Sequence, residues 1–328
     1  MDRKKITLIG GTGAAVIGNA FKRHPQWSVN LLVSLVDDGG STGRLRNDFN
    51  IPPVGDIRKA LASLSKLPDS FINAFEHRFE QGDLKGHTMG NIFLAALILK
   101  YGDINKSIEE AERMLDVGGH VLTTTLEATQ LNTHFQNGKT IQGEHNLDEN
   151  TDTSVGCPLQ YYLTEEKPTN PRAEEAILNS DLVVLGPGDL GANTIAPLLT
   201  QGITEALKKT KAKLIYIGNL MTKKGETHNM HVEDCVRFVE KMIGRNFDCV
   251  LTHTSQLPKE ILKHYALHGE YPMECSGETL KKEGRNVIEG DFVDANKYQI
   301  SKADPLRRSV LRHDGTKILS AIEKYASL

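Results

Sequence analysis

Two aspartates stand side by side, Asp37 and Asp38, at the end of the apolar run Leu31–Val36. Gly39, Gly40, Ser41, Thr42, Gly43 and Arg44 follow directly. One carboxylate in such a loop can face a Mg2+ ion or a ligand hydroxyl while the other holds the loop. Ser41 and Thr42 offer hydroxyls to phosphate oxygens, and Arg44 offers a fork of two parallel hydrogen bonds. The competing reading is an acidic turn that bonds its own backbone. If the site is chemical, Asp37 and Asp38 are its catalytic and metal-holding candidates.

Four other stretches carry compatible chemistry. In "GGTGAAVIG", Gly10, Gly11, Thr12 and Gly13 follow an apolar strand and open a helix, a place where backbone N–H groups can meet an anion. The spacing is not the dinucleotide GxGxxG, and no GK[ST] loop occurs. "VLGPGDLGANT" gives a second glycine turn after a buried strand, with Gly186, Pro187, Gly188 and Asp189 in it and Asn193 and Thr194 beyond it. "PPVGDIRKAL" puts Asp56 and Arg58 at a helix start, where Asp56 reads either as a site residue or as an N-cap. "GHTMGN" sets His87 and Asn91 four apart, on one helix face, and Asn219 leaves a strand in "IGNLM". No GxSxG elbow appears, and no cysteine has a nucleophile's context. The chemistry suggested is transfer or binding by positioning and charge stabilisation, with Mg2+ as the candidate cofactor. His228 and His231 lack an acidic partner at metal-ligand spacing and read as non-ligands.

The elements that must hold these residues read as an α/β rhythm. Strands are expected at 5–9, 29–36, 182–191 (running into a glycine turn), 212–220 and 247–255, with helices at 14–24, 56–65, 89–102, 107–117, 172–181, 193–210 and 232–244, and a helix ending the last stretch, 313–326. Strand, glycine turn, helix, strand is a βαβ unit, and its repetition predicts a Rossmann-like, doubly wound, mainly parallel sheet. The Thr-rich alternation around Asn137-Gly138 predicts an inserted β-hairpin, about 123–150, with a type I′ turn. The expected organisation is one domain over 1–328, with a looser C-terminal tail from about 256.

Bulk properties narrow the classes. The chain has 328 residues, 39% hydrophobic and 25% charged, and a formal net charge of −3. That balance gives no reason to expect nucleic acid as a partner. Four widely spaced cysteines form no CxxC pair and read as reduced thiols. No segment approaches the roughly 20 apolar residues of a membrane span, so neither membrane nor export is expected and the cytoplasm is. The expected partner is a small-molecule nucleotide or nucleotide-sugar; a homo-oligomer is compatible.

In this order, "GGTG", "SLVDDGGSTGRLR", "IPPVGDIRKAL", "GHTMGNIFLAAL", "LGPGDLGANTIAPLL" and "NLMTKKGETHNM" resemble the YvcK-like gluconeogenesis factors, a family related to the CofD-like 2-phospho-L-lactate transferases. The similarity spans roughly residues 5–255. It implies the transferase family's Rossmann-like core. It also implies a regulator that binds UDP-sugars such as UDP-N-acetylglucosamine and is required for cell shape and growth on gluconeogenic carbon. The alternative it implies is a Mg2+-dependent transferase acting on a nucleoside-diphosphate-linked phospholactate. By position, the nucleotide turn is Gly10–Gly13, the acidic loop is Asp37, Asp38, Ser41, Thr42 and Arg44, and the second turn is Gly186–Asp189. The chain departs from the family in reading "LIGGTG" for GGGTG and "GPGDLGANT" for GPGSLYTS. Asp189 would repel a phosphate unless it held Mg2+ or a sugar hydroxyl. A third reading, a dehydrogenase with Asp37 on a ribose, has the imperfect glycine spacing against it.

Overall fold

The computed structural model describes residues 3–22, 24–294 and 310–326. Among the described residues, seven strands form one parallel sheet: β1 (Lys4–Ile9), β2 (Trp27–Val33), β3 (His120–Thr123), β7 (Leu182–Leu185), β8 (Lys213–Ile217), β9 (Cys249–His253) and β10 (Asn286–Gly290), in the order β10-β9-β8-β7-β1-β2-β3. Strands β4 (Leu131–Phe135), β5 (Thr140–Gln142) and β6 (Pro158–Leu163) form a separate antiparallel sheet, ordered β5-β4-β6. The chain winds outward from β1 through β2 to β3, makes that excursion, and re-enters at β7 on the other side of β1. Neighbouring strands β1 and β7 therefore send their chains in opposite directions. In an open α/β sheet, the crevice at such a switch point, outside the strand C-termini, is where ligands bind.

Alternation along the strands divides the core between two faces, as the period of two requires. Ile6 and Leu8 of β1, with Leu31 and Val33 of β2, pack under helices α1 (Thr12–Phe21), α3 (Gly55–Leu64), α5 (Met89–Tyr101) and α6 (Ile104–Met114). Ile9, Leu32, Val183 and Leu185 face the opposite layer, with Ile177, Ile203 and Val236. The helices between β1 and β3 also include α2 (Gly40–Phe49) and α4 (Asp69–Glu76). Helix α5 is delimited at both ends by local chemistry. Thr88 Oγ1 accepts from Asn91 N at 3.2 Å, and Gly102 takes φ +65° to end it.

Several expectations need correction. Strand β2 ends at Val33, not Val36; Ser34–Val36 is buried but irregular, and Leu35 accepts from Thr129 N of the insertion. The acidic residues thus lie beyond a short connecting segment rather than on a strand end. The segment after them is helix α2, so Ser41 and Thr42 lie in a helical first turn. The insertion is three-stranded and extends to Leu163. Its turn is not type I′, because only Gly138 takes positive φ and Asn137 does not. Gly138 N donates to Phe135 O, and the three residues between Phe135 and Lys139 make a turn with one left-handed glycine. Of the expected tail, 295–309 and 327–328 lie outside the described residues, and the rest is built into the fold. It supplies edge strand β10 and a final helix, Gly315–Ala326, whose Ile318 and Ile322 are fully buried on the α1 side.

Candidate functional site

The two glycine turns meet at the switch point. A Cβ on Gly13 would lie 2.2 Å from Pro187 O, and one on Gly11 would lie 1.7 Å from Asn193 Oδ1. Glycine at both places lets the turns interlock, an approach no side chain permits. Asn193 also packs against Gly188. The second turn is held from outside, since Gly188 N donates to Asn219 Oδ1 at 2.9 Å and Asn219 Nδ2 donates to Gly188 O at 2.8 Å. Asn219, singled out as a ligand residue, is therefore also the brace of that turn. The Gly186–Pro187 peptide is cis.

Three helix starts converge beside the first turn. Gly11–Thr12 opens α1, Gly39–Gly40 opens α2 and Val54–Gly55 opens α3. Their closeness is measured at glycines. A Cβ on Gly55 would meet Asp37 Oδ2 and Thr42 Oγ1, each at 2.6 Å, and Gly11 faces Asp56 Oδ2. Each helix start presents unsatisfied N–H groups and a partial positive charge, so the convergence favours anions.

The paired aspartates have different surroundings. Asp37 points inward. Its Oδ1 accepts from Gly39 N at 3.0 Å. Burial first, and then nearby Asp56, raise its pKa. Asp38 points outward to the insertion, with Oδ2 accepting from Gln130 Nε2 at 3.2 Å and Oδ1 from His145 N at 2.9 Å. Asp56 does not cap α3. No side-chain bond caps that helix, and Asp56 pairs instead with Lys59, Nζ to Oδ1 at 3.1 Å. The pairing raises the Lys59 pKa.

A second polar group joins α2 to α5. Asn91 Nδ2 donates to Ser41 Oγ at 2.9 Å, and Ser41 Oγ lies 3.0 Å from His87 Nδ1. All three are buried. Because Ser41 accepts from Asn91, its hydroxyl proton is available to His87 Nδ1. Burial and nearby Arg44 lower the His87 pKa and favour the neutral ring. Arg44 itself is exposed and donates Nη2 to Lys85 O at 2.8 Å, closing the 77–88 loop over α2. Arg58 lies on the α5 side of α3, with Cγ against Gly90.

Opposite this group, Lys223 resolves the expected conflict at Asp189. Its Nζ lies 2.9 Å from Asp189 Oδ2 and 2.7 Å from Asp148 Oδ1. The carboxylates Asp189, Glu226 and Asp148 oppose the effect of burial and hold Lys223 charged, its pKa raised. Glu226 is 1% exposed and accepts from Tyr161 OH at 3.0 Å and Gly191 N at 2.8 Å. Sequence reading missed Lys223, Asp148 and above all Glu144, whose pKa is pushed up to about 9 by burial and then by Asp37, Asp56 and Asp148. Glu144 follows Gly143 at the start of a short helix, Glu144–Asp148, and Gly143 packs against Asp38. A glycine-then-acid signal at 143–144 resembles that at 55–56, and was hidden by its place in the β-rich insertion.

Among the described residues, no three His, Cys, Asp or Glu side chains are placed to hold a metal ion. None of the described helices is long and apolar enough to cross a membrane. The four cysteines are free.

Fold and site together define the class: residues 6–293 match the family model of the 2-phospho-L-lactate transferase CofD, and the chain belongs to that family. Within it, the chain is similar to the gluconeogenesis factors. It is 33% identical to the gluconeogenesis factor of Bacillus subtilis over 98% of both chains. It is 32% identical to the putative gluconeogenesis factor of Thermotoga maritima, again over 98% of both. A crystal structure of a UPF0052 family member from Bacillus halodurans superposes with a TM-score of 0.89 at 31% identity, covering 98% of this chain and 99% of that one.

Proposed function

We propose that the chain binds a nucleotide-sugar of the UDP-N-acetylglucosamine type at the β1–β7 switch point, as a regulator linked to cell shape and growth on gluconeogenic carbon. The observation that carries this reading is the convergence of the α1, α2 and α3 starts on the interlocked glycine turns. The diphosphate would lie on those N–H groups, and Asp37, Asp56 and Glu144 would accept from sugar or ribose hydroxyls. Asp38 then serves the site indirectly, by anchoring the insertion beside it. Titration calorimetry of the full chain with UDP-N-acetylglucosamine is expected to give a saturable heat. No heat at high micromolar concentration would reject the reading.

A second reading, Mg2+-dependent transfer from a nucleoside-diphosphate-linked phosphoester, draws on the same carboxylates. Mg2+ is commonly held by one or two carboxylates together with substrate phosphates, and Asp37 and Asp56 suit that role without a complete protein cage. The ion would neutralise charge on the phosphates, while Lys59 keeps Asp56 oriented. Metal-dependent release of nucleoside monophosphate, abolished in Asp37→Asn, would favour this reading over pure binding.

A further inference from the structure

Arg58 is 7% exposed, yet its guanidinium makes no hydrogen bond and no ion pair with any described residue. Its Nε is enclosed and unpartnered. Glu76, Asp56 and Asp37 act on the guanidinium only through space, and Arg78 opposes them. A buried cation in that condition is costly to the fold unless something completes it.

The place is shaped for the side chain. Gly90 lies in the first turn of α5, and a Cβ there would fall 2.8 Å from Arg58 Cγ and 2.7 Å from the Phe75 ring. The arginine stem is thus threaded between α3, α4 and α5, against the first turn of a 13-residue helix. Arg78 closes the same loop by donating Nη1 to Gly86 O. Helix start, Arg58 and Arg78 carry positive charge, which Glu76, Asp56 and Asp37 offset only through space, since none of the described side chains bonds to the Arg58 guanidinium.

We infer that Arg58 and the first turn of α5 form a subsite for one phosphate-type oxyanion, on the α5 side of α3. The inference deepens the proposed function by giving the cleft a second anion position. It does not require the nucleotide-sugar, because phosphate alone probes it. The anion has two sources, an acidic group of the cleft ligand or free phosphate. Competition separates them: displacement of phosphate by UDP-N-acetylglucosamine assigns it to the cleft ligand, and co-binding assigns it to an independent anion.

The test uses the full chain, with phosphorus NMR and thermal unfolding in inorganic phosphate against chloride of equal ionic strength. Wild type is expected to bind phosphate saturably and to melt higher with it. Arg58→Lys should weaken phosphate several-fold, because lysine keeps the charge without the fork, and Arg58→Met by about tenfold or more. Without phosphate, Arg58→Met should melt no lower than wild type, since it removes an unpaired buried charge. Absence of saturable phosphate binding by wild type, or full affinity retained in Arg58→Lys and Arg58→Met, overturns the inference. If Arg58→Met does not fold, the Arg58→Lys titration decides alone. Phosphate bound at Arg58 while UDP-N-acetylglucosamine gives no heat would sink the nucleotide-sugar reading and leave this one standing.

Discussion

Arg58 and Arg285 are equally buried, at 7% and 8% exposure, and they are opposites. Arg285 is clamped. Its Nε donates to Glu240 Oε1 at 2.7 Å, Nη2 reaches Glu240 Oε2 and Nη1 reaches Glu283. Arg58 has no such partner. The contrast extends to the two halves of the sheet. Beyond β7, two enclosed cations are compensated inside the protein: Lys223 by Asp148 and Asp189, Arg285 by Glu240. Between β1 and β3, the Arg58 guanidinium is left without a partner among the described side chains, and Asp37 is held only by its own loop. The completed Arg285–Glu240 pair holds the fold, and the uncompleted guanidinium of Arg58 is free to meet something else.

The largest expected effect tests the completed half. Arg285→Met strands Glu240 in the interior and should cost about 3–5 kcal/mol in urea unfolding. A loss as small as that of a surface substitution would erase the contrast with Arg58.

The next effect is a pH dependence. His313 is buried, with Nε2 3.2 Å from Gly218 O, and burial pushes its pKa down to about 4. Its folded value is below the unfolded 6.5, so its contribution is present above pH 6.5 and is lost as pH falls toward 4. The loss amounts to about 3 kcal/mol when complete. His313→Gln should flatten the wild-type decline in unfolding free energy across that window. An unchanged slope would show that the decline has another origin.

Asp37 and Asp38 give a smaller and more discriminating comparison. The Asp37 pKa is raised in the fold, so its ionisation costs stability above the unfolded pKa, and Asp37→Asn should be neutral or stabilising near pH 7. Asp38→Asn removes a carboxylate that holds Gln130 and the His145 amide, and should cost about 1 kcal/mol. Denaturation midpoints in the reverse order would contradict the assignment of Asp37 to the site and Asp38 to the scaffold. The smallest effect is local. Thr88→Ala removes the α5 cap and should cost about 1 kcal/mol or less, while also loosening the Arg58 subsite and weakening phosphate. A stability loss with phosphate affinity unchanged would separate the helix start from that subsite.

Much of the central sheet could be read from the sequence, because buried parallel strands such as "KITLI" and "AKLIYI" are continuous apolar runs between glycine turns. Edge strands β3 and β10 could not. "HVLT" and "NVIEG" are short and carry a polar or charged residue, as edges do. Helix α2 was hidden because two of its first four residues are glycines and its apolar content is low. At the site, the residue types at Asp37, Ser41, Asp56 and Arg58 were legible from their turns. Their partners were not. Lys223 meets Asp189 from 34 residues away, and the charges of Asp37 and Asp56 act on Glu144 of the insertion, relations that only the fold creates. The difference between neighbours Asp37 and Asp38 was equally invisible, because it depends on which way two adjacent side chains leave the backbone.

The most direct test of the account is a calorimetric titration of UDP-N-acetylglucosamine into the wild-type chain and into Asp37→Asn/Asp56→Asn. The account predicts a saturable heat for wild type that is strongly weakened in the double variant while its unfolding transition is preserved. No heat from wild type, or an undiminished heat from a folded double variant, would contradict the placement of a nucleotide-sugar on the β1–β7 switch point.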